Sequence, residues 1–240
     1  MPVRAILVDI EGTTSAIDFV HEVLFPWARA ALPAFLAENA GREDVRREIE
    51  ATAAEAELDP ADLPAVAATL QRWIDEDRKA TPLKALQGLV WEHGYETGAY
   101  RAHVYDDAVR ALRAWHGAGW PLYVYSSGSV HAQKLFFRHS EAGDLLPLFR
   151  GHFDTTTGPK RAADSYRRIA AGIGLPPEEI LFLSDVPEEL DAASAAGLAT
   201  TWVVRENEGR HTLAGAAGSP HPVVPDLAAV DPAAGPLSRS

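Results

Sequence analysis

Asp9 and Glu11 stand two residues apart at the end of a short apolar run, in the stretch VRAILVDIEGTT from Val3 to Thr14. Two acids at that spacing suit a divalent cation held at a strand end. Two other apolar runs also end in polar residues. PLYVY leads into Ser126-Ser127, and ILFL leads into Ser184-Asp185. Between them Thr157-Gly158-Pro159-Lys160 precedes a helical pattern. Parallel strands bring their carboxyl ends to one edge of a sheet, so these groups can converge. Three carboxylates, a small hydroxyl and an ammonium then form one set suited to a phosphate ester. Mg²⁺ takes oxygen ligands and neutralises both carboxylates and a phosphate. Ser126 and the N–H groups ahead of the Val130 helix can hold phosphoryl oxygens. Lys160 can give them a fixed positive charge. Asp9 is the expected nucleophile, forming an aspartyl phosphate. Glu11 is expected to protonate the leaving alcohol and then to activate water.

Each residue alone has a plainer role. Asp9 fits a turn, Asp185 a helix cap, Lys160 a solvated position, and Ser127 and Ser129 turn hydroxyls. Only the combination favours chemistry. Asp154 and Thr155 to Thr157 are expected to brace the Lys160 loop. Glu188 and Glu189 suit either support of Asp185 or the charge preference of a helix start.

The elements that must position this set alternate in the second half of the chain. Helical patterns cover Asp106 to Gly117, Val130 to Ser140, Ala162 to Ala171 and Glu188 to Ala196. Between them lie strand patterns at Pro121 to Tyr125, Ile180 to Leu183 and Ala199 to Val204, with a short turn-bounded piece from Phe149 to Phe153. Alternation of this kind predicts a mostly parallel α/β sheet with helices on both faces. From Phe19 to about Leu36, apolar spacings of three and four predict two helices, split or kinked near Pro26 and Pro33. Further helices are expected from Asp44 to Leu58, Leu63 to Asp77 and Thr81 to Gly94. The first strand is thus separated from its sheet by an all-helical block. The expected architecture is a Rossmann-like core of 1–15 and 98–230, a helical cap of 16–97 that acts as a lid, and a disordered tail of 231–240. Val223 to Val230 is expected to add a strand or a short ordered segment. Trp73 and Trp91 are expected in the core of the insert.

The chain has 240 residues, is 47% apolar, and carries a formal charge of −12. That size and apolar content support a sizeable core. The charge disfavours nucleic acid or an anionic membrane as partner. Local lysines and backbone N–H groups still allow a small phosphorylated substrate. With no Cys there is no disulfide, thiol nucleophile or thiolate metal site. No apolar run approaches the roughly 18 residues of a membrane span. The expectation is a soluble, monomeric, cytoplasmic protein.

Four segments resemble the motif regions of the haloacid dehalogenase-like hydrolases: DIEGTTSAI, YSSGSVHAQKLFF, GHFDTTTGPK and LFLSDVPEELDAA. The block RKATPLKALQGLVWEHGY strengthens the likeness to the enolase-phosphatase subfamily, and the resemblance spans most of Val3 to Val204. It implies a bifunctional reaction in methionine salvage. A 2,3-diketo-5-methylthiopentyl-1-phosphate is enolised, then dephosphorylated to the acireductone, with Mg²⁺ as cofactor. By motif it implies Asp9, Glu11 and Asp185 as metal ligands, and Ser126, Ser127 and Lys160 as contacts to the substrate phosphate. Glu11 stands where the wider superfamily has Asp, as the subfamily does. Its extra methylene gives reach and fixes the head less firmly. Candidates for the enolisation base are Glu11, His21, Glu22, Lys84 and Gln87. Rival readings are a phosphatase for another small ester, a dehalogenase using Asp9 against carbon, and a non-catalytic binding protein on the same scaffold.

Overall fold

The structure, a computed structural model, describes residues 2–234. The chain divides into two compact units, Met1–Ile17 with Ala102–Ser240, and Asp18–Arg101.

The first unit is built on a parallel sheet. Its strands are β1 (Ala5–Val8), β2 (Leu122–Tyr125), β3 (Phe149–Phe153), β4 (Ile180–Ser184), β5 (Ala199–Val203) and β6 (Val223–Val224), in the order β3-β2-β1-β4-β5-β6. All neighbouring pairs are parallel. The strand order reverses between β1 and β4, and such a reversal opens a crevice at the carboxyl ends of those two strands. All four residues of β1 are fully buried. A strand buried on both faces reads as a continuous apolar run rather than an alternating one. Ala5 and Leu7 join Ile180 and Phe182 on one face, packed against Tyr166, Ile169 and Leu190. Burying each large aliphatic side chain stabilises the fold by about 1.5–3 kcal/mol.

The helices of this unit are α5 (Asp106–Gly117), α6 (Val130–Arg138), α7 (Ala163–Ile173) and α8 (Pro187–Ala195). Numbered in chain order, α1 to α4 belong to the other unit. The segment from Phe149 to Phe153, short and turn-bounded in sequence, is the edge strand β3. Val223 to Val230 forms the two-residue β6 and a 3₁₀ turn at Leu227–Ala229. Of the expected disordered tail, Pro232–Ala234 forms a 3₁₀ turn, and the part from 235 onward lies outside the described residues.

The second unit contains a π-helical turn, Phe19–Leu24, followed by α1 (Phe25–Asn39), α2 (Glu43–Ala56), α3 (Leu63–Asp75) and α4 (Thr81–Glu96). Its core includes Leu32, Leu36, Ile49, Leu70, Trp73 and Leu86. Trp73 is buried, with the Arg78 guanidinium over its ring. Trp91 is half-buried and donates its ring N–H to the Leu24 carbonyl at 2.9 Å. Of the expected split or kink near Pro26 and Pro33, the helical run divides beside Pro26, where the π-helical turn ends at Leu24 and α1 begins at Phe25, and α1 continues unbroken past Pro33. Proline lacks the N–H that would bond the carbonyl four residues earlier, here that of Arg29. The Gln71 side-chain amide, from α3, donates to that carbonyl at 2.8 Å. A neighbouring helix therefore supplies the bond that proline removes. Replacing Gln71 by Ala should destabilise the protein by about 0.5–1.5 kcal/mol, read as a lower denaturant midpoint with an unchanged slope. An unchanged midpoint would show that the carbonyl needs no protein partner.

His152 on β3 gives the fold a pH dependence. Its pKa is lowered to about 4, chiefly by burial and secondarily by Lys134. Gln133 donates to the carbonyls of Gly128 and Phe153, so its amide oxygen faces His152 Nδ1 at 3.3 Å. Nδ1 then carries the proton, and buried Nε2 has no partner. The unfolded chain binds a proton below about pH 6.5, whereas the folded ring does so only near 4. Stability should therefore fall as pH drops through that window. Denaturation curves of His152→Gln against the native chain should show the variant losing about 1 kcal/mol less between pH 6.5 and 4, the ring's partial exposure keeping the effect small. Identical losses would remove His152 as the source.

Candidate active site

Asp9 follows β1 directly and is 2% exposed. Its Oδ1 accepts from the Ile10 N–H at 2.8 Å and lies 2.7 Å from Lys160 Nζ. Its Oδ2 has one protein neighbour among the described contacts, the Ser184 hydroxyl at 3.3 Å. The turn after Asp9 is tight. The Ile10 carbonyl accepts from the N–H groups of Thr13, Thr14 and Ser15, and Gly12 has φ +78°. A Cβ on Gly12 would lie 2.3 Å from Asp185 Oδ2. Glycine is needed there both for the backbone angle and for the approach of the second carboxylate.

Glu11 reaches across to β2, where Ser126 Oγ donates to it at 3.1 Å. The same hydroxyl, fully buried, accepts from the Gly128 N–H at 3.1 Å. Ser129 caps α6 by accepting from the Ala132 N–H at 3.2 Å, a preferred N-cap arrangement. Ser127 is exposed.

Lys160 is 7% exposed and sits between two carboxylates, Asp9 and Glu189, each 2.7 Å from Nζ. Burial works against its charge, but those two acids outweigh it and hold its pKa above the ordinary lysine range. The backbone around it is pinned by buried tyrosines. Tyr125 donates to the Gly158 carbonyl at 2.9 Å and Tyr166 to the Lys160 carbonyl at 2.7 Å. Asp154 accepts from the N–H groups of Thr156 and Val130, tying this loop to the start of α6.

Asp185, just past β4, is held by three side chains. Thr13 Oγ1 accepts from its backbone N–H at 3.0 Å, Trp202 donates to its carbonyl at 2.9 Å, and Arg210 donates to its Oδ2 at 3.1 Å. Burial first, then the charge of Asp9, raises its pKa to about 6. The same two causes, in the same order, raise Glu189 to about 7 and push Glu11 upward. Asp9 is thus the charge felt by all three other carboxylates.

The structure brings Asp9, Glu11, Ser126, Lys160 and Asp185 to the carboxyl edge of the sheet, with Ser127 on the same loop as Ser126. His21, Glu22 and Lys84 are exposed residues of the helical unit, and Gln87 is buried there. Glu189, which the sequence leaves divided between two roles, belongs to the cluster. Its signal was its place in the first turn of α8, a few residues after Asp185. Thr13, Trp202 and Arg210 carried no local signal, since their contacts are long-range.

Among the described residues, no three acidic or imidazole side chains form a group arranged around a common metal position. Lys160 engages Asp9, and Arg210 engages Asp185. The donor set nevertheless fits a divalent cation. Four carboxyl groups crowd together with two cationic side chains, Lys160 and Arg210, and burial with the charge of Asp9 raises three of the four, so the cluster is short of positive charge. Hard carboxylate oxygens are what such a cation takes.

Comparison with known proteins decides the family. The profile of the haloacid dehalogenase-like hydrolases matches residues 3–197. A protein of Azotobacter vinelandii named enolase-phosphatase E1 is 57% identical over 98% of this chain and 100% of its own. One of that name from Pseudomonas aeruginosa is 58% identical over 89% and 96%. The chain belongs to the enolase-phosphatase E1 family of haloacid dehalogenase-like hydrolases. It is therefore an enzyme, a phosphatase. Among solved structures, the UTR4 protein of Saccharomyces cerevisiae superposes on this enolase-phosphatase with a TM-score of 0.80 and 33% identity, over 95% of this chain and 100% of that one. CbbY from Rhodobacter sphaeroides, solved with phosphate, shares the fold at 19% identity and a TM-score of 0.59, over 95% and 96% of the two chains.

Substituting Gly12 by Ala should disable this enolase-phosphatase. The new methyl group must displace Asp185 and adopt a strained φ. Turnover should fall at least 100-fold, with about 1–3 kcal/mol of stability lost. A variant with native turnover would show that the Asp9–Asp185 approach is not needed.

Proposed function

We propose that this enzyme converts 2,3-diketo-5-methylthiopentyl-1-phosphate to the acireductone and inorganic phosphate, as a step of methionine salvage. The observation that carries the proposal is the Lys160 ammonium between Asp9 and Glu189, with Asp9 Oδ2 lightly engaged. Lys160 and the Ile10 N–H fix Oδ1, so Oδ2 is the oxygen left to attack phosphorus. Attack there displaces the ester oxygen and leaves an aspartyl phosphate. Glu11, bonded to Ser126 beside that carboxylate, gives a proton to the departing enol oxygen. It then takes one from water as the acyl phosphate is hydrolysed. Lys160, Ser126 and exposed Ser127 contact the phosphoryl oxygens.

The enolisation half removes a proton from the carbon bearing the ester and delivers one to the neighbouring carbonyl oxygen. Glu11 is the half-buried proton carrier of the site and the first candidate for that removal. Mg²⁺ is the proposed divalent cation, with Asp9, Glu11 and Asp185 to hold it. When bound it would supply charge to the phosphate and the carbonyl oxygen. No helix among the described residues is long and apolar enough to cross a membrane. A small soluble substrate and an acidic protein, charge −12, support a cytoplasmic enzyme, proposed here as a monomer.

The test supplies the diketo phosphate ester with and without Mg²⁺, following the enol by ultraviolet absorbance and phosphate in parallel. The native chain should give both signals only with the cation. Asp9→Asn should stay folded, still form the enol, and release phosphate at least 1,000-fold more slowly. Full phosphate release by that variant would remove Asp9 as the nucleophile. A native chain inert toward this ester but active on another would redirect the substrate assignment.

A further inference from the structure

Arg205 lies two residues past β5 and is 7% exposed, in a position none of the chemistry above uses. Its guanidinium makes three directed bonds. Nε donates to the Thr13 carbonyl at 2.9 Å, and the two terminal nitrogens donate to the Asp107 carboxylate at 3.0 and 2.9 Å. Its face lies 3.8 Å from the centre of the Tyr105 ring. Asp107 also accepts from the Leu227 N–H at 2.9 Å, so the carboxylate is itself fixed. Tyr105 adds a second grip on the same turn, its N–H donating to the Thr14 carbonyl at 3.0 Å. The carbonyls of two consecutive residues after the nucleophile are thus taken by one buried assembly.

Thr13 is where that grip meets the site. It is fully buried, and its Oγ1 both accepts from the Asp185 N–H at 3.0 Å and lies 3.4 Å from Asp185 Oδ1. Asp9 and Asp185 come from different strands, and the turn after Asp9 approaches Asp185 so closely that a Cβ on Gly12 would lie 2.3 Å from its Oδ2. Something must hold the two strand ends at their spacing. Among the described contacts, two side chains link the turn that carries Asp9 to the loop that carries Asp185: Ser184, whose hydroxyl donates to Asp9 Oδ2 at 3.3 Å and accepts from the Val186 N–H at 3.1 Å, and Thr13, the one whose own carbonyl is clamped by Arg205.

We propose that Arg205, braced by Asp107, is a positioning residue for the phosphatase reaction, acting through Thr13 to fix the turn of Asp9 and Glu11 against Asp185. The inference rests on the reading of those three carboxylates as the working ones. Arginine suits the task because its planar fork makes bonds in three set directions at once. Lysine keeps the charge but offers a single point, so it cannot hold Asp107 bidentately and Thr13 together.

The test uses the full chain and the variants Arg205→Lys, Thr13→Val and their combination. Turnover and KM are measured for the diketo ester, Mg²⁺ affinity by calorimetry, and amide exchange across residues 10–15. Arg205→Lys and Thr13→Val should each lower kcat about 10–100-fold with KM changed less than about threefold, and weaken Mg²⁺ binding about tenfold. Exchange of the Gly12 to Ser15 amides should quicken while the sheet amides hold. The double variant should be no worse than the poorer single one, because both changes break one chain of contacts. If Arg205→Lys fails to fold, Thr13→Val, which removes no buried charge, carries the test. A folded Arg205→Lys with native kcat, native Mg²⁺ affinity and native loop exchange would overturn the proposal. So would a lower melting temperature with those three readouts unmoved. If the native chain released no phosphate from this ester, the substrate reading would fail, while Mg²⁺ affinity and loop exchange would still judge the clamp.

Discussion

Repulsion among buried carboxylates is the constraint on which this structure turns. Asp9 lies within reach of Glu11, Asp185 and Glu189, and its charge raises all three. Burial would itself push such groups toward their neutral forms. Lys160 answers part of the repulsion by sitting between two of the acids. The rest is carried by donors to individual carboxylate oxygens, Ser126 to Glu11, Ser184 to Asp9 and Arg210 to Asp185. A shortage of positive charge of this kind favours the binding of a divalent cation.

The sheet makes the crowding bearable. β1 and β4 are central strands, hydrogen-bonded to each other and flanked on both sides. Their side chains are buried on both faces, so neither strand end can slide to relieve the repulsion without giving up packing. Asp9 and Asp185 occupy matching places just beyond the two strands, where the order of strands reverses. Lys160 reaches them from a loop whose carbonyls are gripped by Tyr125 and Tyr166. Those tyrosines are part of the core, so the lysine is positioned by the same packing that stabilises the sheet.

Asp9, Ser126, Lys160 and Asp185 were legible in the sequence because each follows an apolar run or precedes a helical one. Their position in the chain announces a place at the sheet edge. Glu189 was half legible, as it also suits a helix start. Arg205 and Thr13 were not legible, because each matters only through partners about 100 to 190 residues away. Pro33 leaves α1 unbroken for a related reason. Its local effect on a helix is correct, and Gln71 on another helix cancels it. The strand β3 was indistinct because its half-exposed residues lack the unbroken apolar run of β1 and β4. Local chemistry shows in a sequence, whereas compensation between distant segments does not.

This division explains how a protein with a charge of −12 can handle a phosphate dianion. Net charge governs the approach of the substrate at long range, where salt screens it. Within the site the relevant charges are Lys160, half-exposed Arg210 and whatever cation the carboxylates hold. Lys160 is held charged by the acids that surround it, so those acids serve the phosphate indirectly. Removing them to lessen the repulsion would leave the lysine buried without partners, at a cost of several kcal/mol. The positive charge of buried Lys160 therefore depends on the surplus of acids rather than being opposed by it.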